Sequence, residues 1–377
     1  MPHLPIATAD ELGLAAEPLA RASRLLAEAT SGAQPTIPGA AFIVGRGGRT
    51  IEPRFFGRQG PEPDASLIRD DALFLLASIS KPFTYLAGLM MVERGQLDLD
   101  APVVEYVPEF AAHGKSSVKV LHLFTHTSGL PDMLAQNADL RRRHAPLDDF
   151  VHHVCHDTPL LFQPGADYSY QSMGTLMVAE LVRRLSGEPI DQFLRRHLFD
   201  PLGLASTRLG LDDLDPARVA RIDVPAEQEA SWNWNSDYWR KLGSPWGGML
   251  SSPAGLAVLM QLMLDGGSYA GVRTVSPAMI ERMTTNRFGD LPELPEMVRR
   301  TRAWGLGWQM NHPSFFDCLS DHASKLTYGH HGSTGTLAWV DPDRHAFAIL
   351  LTTAPRDRHP ATLLEISSLL GAAIPTS

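Results

Sequence analysis

Residues 78–94 read Ser78-Ile79-Ser80-Lys81-Pro82-Phe83-Thr84-Tyr85-Leu86-Ala87-Gly88-Leu89-Met90-Met91-Val92-Glu93-Arg94, and Gly95 follows. From Phe83 onward the run predicts a strong apolar helix stopped by Gly95. Proline is tolerated in a helix only within the first turn, where backbone N–H groups lack partners anyway. Pro82 therefore puts the helix start close to Ser78. Ser78 and Lys81 are three residues apart and share one face of that helix. The serine sits where helix N–H groups and the dipole favour developing negative charge. Lys81, one turn in, points back toward it. A lysine in a partly dry site loses part of its proton affinity and can act as base or proton relay. The Ser-x-x-Lys pattern is weak by itself. Ser116-Ser117-Val118-Lys119 repeats it, but follows Gly114-Lys115 with no apolar helix behind it, and reads as a solvated loop.

Working outward, residues 10–28 have helical periodicity. Residues 40–44 and 50–56 read as two strands around Gly45-Arg46-Gly47-Gly48, a hairpin signal. Residues 74–77 are a short apolar run. The middle of the chain predicts helices over 120–125, 147–155, 173–186, 190–198 and 253–264. The clearest carries Met173, Met177, Leu181 and Leu185 every four residues, with Gly187 as a stop. Residues 336–340 and 346–352 flank Asp341-Pro342-Asp343-Arg344, a second hairpin signal, and a last helix is predicted over about 361–370. No fixed-period repeat is present. The simplest assembly pairs the two hairpins in one antiparallel sheet with the terminal helices on one face. The expected organisation is one unit over 1–377, with a sheet region of about 1–82 and 245–377 and a helical region of about 83–244. A cleft between them is the natural place for a site.

Composition narrows the class. The 377 residues are 44% hydrophobic and 20% charged, as expected of a globular chain with a sizeable core. The net charge of -9 argues against a general nucleic-acid binder, which needs a basic face. Two cysteines, Cys155 and Cys318, rule out a disulfide framework and allow one bridge without implying it. No stretch approaches about 18 uncharged apolar residues, so no membrane span is expected. The N-terminus lacks the basic start and apolar run of a signal peptide, so the expectation is cytoplasmic. A trimmed leader would leave no trace, and oligomeric state is open.

Further segments resemble one family. Ser78-Ile79-Ser80-Lys81 at the head of an apolar helix resembles the first motif of the serine β-lactamase and penicillin-binding protein superfamily. Residues 121–131, LHLFTHTSGLP, look like the "HLLTHTSGLP" stretch of its class C-like branch. Pro164-Gly165-Ala166-Asp167-Tyr168-Ser169-Tyr170 resembles that branch's approach to a tyrosine. Trp246-Gly247-Gly248-Met249-Leu250-Ser251-Ser252, Gly305-Leu306-Gly307-Trp308 and Gly329-His330-His331-Gly332-Ser333-Thr334-Gly335-Thr336 are similar to three later segments. They occur in family order from about residue 40 to 355. The resemblance implies an α/β (α+β) fold of β-lactamase/transpeptidase type, an antiparallel sheet flanked by helices plus an all-helical region. It implies that Ser78 is acylated, that Lys81 relays protons, and that Tyr170 is a general base whose phenolate Lys81 favours. It places the oxyanion between the N–H groups of Ser78 and Ser333. His330-His331-Gly332 stands at the family's Lys-Thr-Gly box. No cofactor is implied.

Two departures matter. The usual Tyr-x-Asn is Tyr170-Gln171-Ser172 here, which removes a carboxamide that would contact Lys81 and an amide substrate. His330 stands for the box lysine and attracts a substrate carboxylate less than an ammonium does. Both suit the esterase branch. The expectation is a cofactor-free carboxylesterase of the family VIII type on small esters. The alternatives are an amide hydrolase (a D-amino-acid peptidase or weak β-lactamase) and a non-catalytic scaffold. His152, His153, Cys155 and His156 read as a partly exposed helix, not a metal site. His126 reads as structural, bonded to a loop. Arg141-Arg142-Arg143 reads as a solvated face near the cleft entrance, with a role in attracting anionic substrates as the alternative. Trp232, Trp234, Tyr238, Trp239 and Trp246 read equally as core and as an apolar wall for an acyl or aryl group.

Overall fold

A computed structural model describes residues 3–224, 232–312 and 319–375. Along the chain the strands are β1 (Gly39–Arg46), β2 (Arg49–Thr50), β3 (Arg54–Gly57), β4 (Phe74–Leu75), β5 (Thr207–Leu209), β6 (Met249–Ser251), β7 (Ser268–Tyr269), β8 (Val272–Arg273), β9 (Gln309–Met310), β10 (Tyr328–Gly332), β11 (Thr336–Asp341) and β12 (Ala346–Thr352). The main sheet runs in the order β2-β1-β12-β11-β10-β9, with β3 also paired to β1. Its centre joins the two hairpins, Ile43 facing Ile349 and Ile349 facing Ala338 in antiparallel register.

Strand β12 is buried at every position, and β1 at all but Arg46. Such continuous apolar runs require cover on both faces. The helix Pro253–Leu264 packs on β1, β11 and β12, while the helices Ala16–Ala29 and Pro360–Ala373 pack on each other and on β3 and β12. In the helical part, Ser80–Glu93 lies against Ser172–Ser186. Tyr85 Oη ties the two, sharing a 2.8 Å hydrogen bond with Thr175 Oγ1 and donating to the Leu123 carbonyl at 3.2 Å. Among the described residues no helix is long and apolar enough to cross a membrane.

Several expectations need correction. The first helix begins at Ala16, not near residue 10, because Gly13 at φ +64 closes a turn over the preceding residues. The helix expected over 190–198 is regular only at Ile190–Leu194 and widens over Arg195–Phe199. The middle of the chain is not purely helical. β5 pairs with β6, and β6 with β4, in a small antiparallel sheet. Strands of two and three residues are too short to show alternation in sequence. Cys155 is free and buried, and Cys318 lies outside the described residues.

The sheet presses closely on the segment before Ser78. Thr334 Oγ1 donates to the Leu75 carbonyl and Thr336 Oγ1 to the Leu76 carbonyl, both at 2.8 Å. Gly332 permits this approach, since a Cβ there would stand 2.4 Å from Leu76 O and 2.2 Å from Thr336 Oγ1. The carbonyl belongs to the backbone and cannot swing away. Gly332→Ala is expected to destabilise the fold by about 1–3 kcal/mol, the range for overpacking. Urea unfolding measures it, and an unchanged midpoint would mean that β10 does not bear on this turn.

Candidate active site

Ser78 lies in a short 3-10 turn, Ala77–Ile79, that runs directly into the helix Ser80–Glu93. Pro82 is the third residue of that helix, within the first turn where a missing N–H costs nothing. Ala77 adopts φ +47, a left-handed conformation unusual for a residue with a Cβ. The turn is held from several sides. Ser80 Oγ donates to Ala77 O at 2.6 Å and accepts from Met249 N at 2.9 Å, and Leu76 N donates to Met249 O at 2.8 Å.

Lys81 is buried, and its Nζ donates to Ser78 Oγ at 2.9 Å and to the Trp246 carbonyl at 3.1 Å. The ammonium also stands 4.7 Å from the centre of the Tyr170 ring. Burial pulls the Lys81 amine down to about 7, while the charge of Asp132 works in the opposite sense. A large share of the lysine is therefore a neutral amine at neutral pH.

Tyr170 hydrogen-bonds to Ser78 through its hydroxyl. It sits in an extended stretch whose backbone is clamped on both sides by His126. Ser169 N donates to the His126 carbonyl at 3.0 Å, and Gln171 N to His126 Nδ1 at 3.2 Å. Gln171 in turn accepts from Ser128 Oγ at 2.5 Å and donates to the His122 carbonyl at 3.1 Å. His126 thus has the structural, loop-bonding role expected of it. Its ring packs 4.7 Å from those of Tyr170 and Trp304, and burial drives its pKa well below the usual value. Burial likewise raises the Tyr170 hydroxyl well above its ordinary value. The desolvation cost of the anion works against the phenolate that the resemblance implies. Near neutral pH Tyr170 is a phenol, and the amine is the stronger base.

The sheet side of the site is β10. Successive residues of a strand face opposite ways. His331 lines the cavity, while His330 is turned behind Tyr170, with ring centres 6.0 Å apart and 5.9 Å from Trp304. The expectation that His330 contacts substrate is corrected accordingly. Gly332 also stays off the cavity wall and serves close packing instead. Burial drives His330 well below its ordinary pKa and takes His331 down to about 3, so both imidazoles are neutral.

Ser78, Tyr170, Ser172, Ser333 and Trp246 all open onto one cavity of about 490 Å³. Ser172 does not reach Lys81. Its N–H and its hydroxyl both donate to Asp132 Oδ1, at 2.9 and 2.6 Å. Asp132 lines the same cavity and was absent from the sequence-based candidates. Its only signal in sequence is its place directly after Gly129-Leu130-Pro131. Arg356 and Asp357 also line the cavity, and nothing in the sequence marked them. Trp234, Trp239 and Trp246 form its aromatic wall, and Trp239 and Trp246 are buried as well. Arg141, expected on a solvated face, is buried and lines this wall. In the 152–156 segment, His153 Nδ1 pairs with Asp157 at 2.6 Å. Burial pushes the Cys155 thiol up to about 12.

A family model described as Beta-lactamase matches residues 26–370. A protein of Escherichia coli (strain K12) named "Putative D-alanyl-D-alanine carboxypeptidase" is 26% identical over 311 residues, covering 75% of this chain and 69% of its own length. A penicillin-binding protein homolog from Caulobacter crescentus has a solved structure similar to this one, with a TM-score of 0.75 at 23% identity over 96% of this chain and 99% of that one. A family VIII carboxylesterase gives a TM-score of 0.73 at 21% identity over 94% and 98% of the two chains. At these identities the structural likeness speaks for the fold.

The Asp132 charge helps Lys81 keep its proton. Asp132→Asn removes that charge while leaving an oxygen to accept from Ser172. The Lys81 titration midpoint is expected to fall below its value of about 7. Carbon-13 NMR of labelled lysine reads it directly, and an unmoved midpoint would refute the coupling.

Proposed function

The chain belongs to the beta-lactamase family, and from that membership we propose that it is a serine hydrolase that forms an acyl-enzyme on Ser78 and acts as a carboxylesterase on small esters. One observation carries the reading: a buried lysine amine 2.9 Å from the Ser78 hydroxyl, with burial bringing its pKa to about 7. A general base is most effective when its pKa lies near the working pH.

The roles follow from the protonation states. Neutral Lys81 takes the Ser78 proton as Oγ attacks the ester carbonyl, forming a C–O bond and placing negative charge on the carbonyl oxygen. The N–H groups of Ser78 and Ser333 are assigned to receive that charge. Tyr170, a phenol bonded to Ser78, delivers its proton to the leaving alkoxide and recovers one from the Lys81 ammonium. Water, deprotonated by the same groups, then cleaves the acyl-enzyme and releases the acid. The ester is favoured over an amide by position 172, where a serine turned to Asp132 replaces the carboxamide that an amide substrate would meet.

A fluorophosphonate probe is expected to label Ser78, located by mass spectrometry of the adduct. Ser78→Ala should lose roughly 10³-fold or more of p-nitrophenyl butyrate turnover, since such groups act as a unit. Labelling at another serine, or retained turnover, would overturn the assignment. Nitrocefin and D-alanyl peptides on the same preparation test the amide alternative, and folded protein that takes no label would support the scaffold reading.

The pH dependence has a defined sign. The active form holds Lys81 neutral and Tyr170 protonated. The kcat/KM for the butyrate ester should therefore rise with pH through a limb near 7, the value to which burial lowers Lys81. A flat profile between pH 6 and 8 would mean that another group is the base.

A further inference from the structure

The Arg141-Arg142-Arg143 triplet divides on folding. Arg142 pairs with Asp139, and Arg143 with Asp149 at 2.8 Å, both on the outside. Arg141 turns inward and is only 6% exposed. Its guanidinium stands 4.1 Å from the centre of the Trp232 ring and 4.7 Å from that of Trp239. Among the described residues it forms no ion pair. Its hydrogen-bond partner is the Met133 sulfur at 3.6 Å, and its Nε is buried without an acceptor. Buried charges are ordinarily paired, because desolvation is otherwise uncompensated. Two more donors beside it, the indole N–H groups of Trp239 and Trp246, are buried without acceptors among the described residues. Guanidinium and indole N–H donate and cannot accept. Burial lowers the Arg141 pKa to about 10, so the cation persists at neutral pH.

This wall belongs to the cavity that holds Ser78. Asp132 and Asp357 also reach the cavity, as does a second guanidinium, Arg356, so an anionic substrate group is steered away from the carboxylates, and Arg141 is the arginine set among the tryptophans. Resting on the serine-hydrolase reading, we propose that Arg141, framed by Trp232 and Trp239, is a specificity subsite for a substrate carboxylate remote from the scissile bond. The preferred substrates are then esters carrying a free carboxylate on either the acyl chain or the leaving group. The carboxylate supplies the paired counter-ion that Arg141 lacks among the described residues, where Asp132 acts on it only through its charge, and the indoles line the apolar stem between the two ends of the substrate.

The test uses two pairs of esters on the full chain. For the acyl side, mono-4-nitrophenyl glutarate is compared with its methyl ester. For the leaving-group side, 4-carboxyphenyl butyrate is compared with its methyl ester. At least one charged ester is expected to exceed its neutral partner about tenfold or more in kcat/KM, mainly through KM. The preferred pair identifies the side. Arg141→Met should abolish that preference, and Arg141→Lys, which keeps the charge but loses the flat stacking surface, should restore part of it. A wild-type enzyme that treats both pairs alike overturns the subsite without reference to any variant. So does a preference that survives in Arg141→Met. Ser78→Ala separates the two readings. If that variant keeps its turnover, the hydrolase reading and the subsite fall together. If it is inactive while wild type shows no charge preference, the subsite alone fails.

Discussion

A lysine amine withdrawn from water is the constraint around which this chain is arranged. Lys81 is held by two acceptors, Ser78 Oγ and the Trp246 carbonyl, and by the face of the Tyr170 ring. That is less than an ammonium receives in water, so burial moves its pKa close to neutrality. Keeping such a group dry and aimed requires a rigid frame. The frame includes a left-handed Ala77, a conformation of the kind that costs of order 1–3 kcal/mol and persists only when its surroundings fix it. Thr334 in the β10–β11 connection, Thr336 at the start of β11, the Met249 backbone and the Ser80 hydroxyl do that fixing. The large sheet thus serves the site less as a source of side chains than as a surface against which the serine turn is held.

The same dryness sets the other charges. His126, His330 and His331 are all kept neutral by burial, and Tyr170 is kept protonated. In the proposed reaction the proton that moves therefore belongs to the Ser78–Lys81–Tyr170 set, not to an imidazole. His126 acts through the backbone on either side of Tyr170, which makes it a positioning residue. The Ser172–Asp132 pair stands where a carboxamide would be expected, and it places a carboxylate near the lysine in exchange for a neutral amide. Across the cavity, Arg141 among tryptophans supplies a cation that does not titrate near neutral pH.

Local chemistry made much of this readable in the sequence. Proline in a first helical turn locates a helix start wherever the chain goes, so Pro82 placed Ser78 and Lys81 together before any tertiary contact was known. The helix Pro253–Leu264 and the strands around Asp341-Pro342-Asp343-Arg344 are stated by apolar runs and turn residues that act over a few positions. Ser78, Lys81 and Tyr170 converge as their motifs implied, while burial works against the phenolate expected of the tyrosine. Protonation depends on how much water the surrounding chain excludes, and that is a sum over residues distant in sequence.

The remainder depended on which segments meet. Asp132 is ordinary until Ser172 is folded against it 40 residues later. Arg141 and Arg142 are neighbours of one type, and only packing against Trp232 and Trp239 buries one while leaving the other in water. His330 and His331 differ by one strand position, which sends one to the cavity and the other behind the tyrosine. Backbone preferences are written within a turn or two of the chain, so the elements and the candidate nucleophile were legible in sequence. Burial and electrostatics arise between segments, so the charges of the site and the walls of the cavity were settled only on folding.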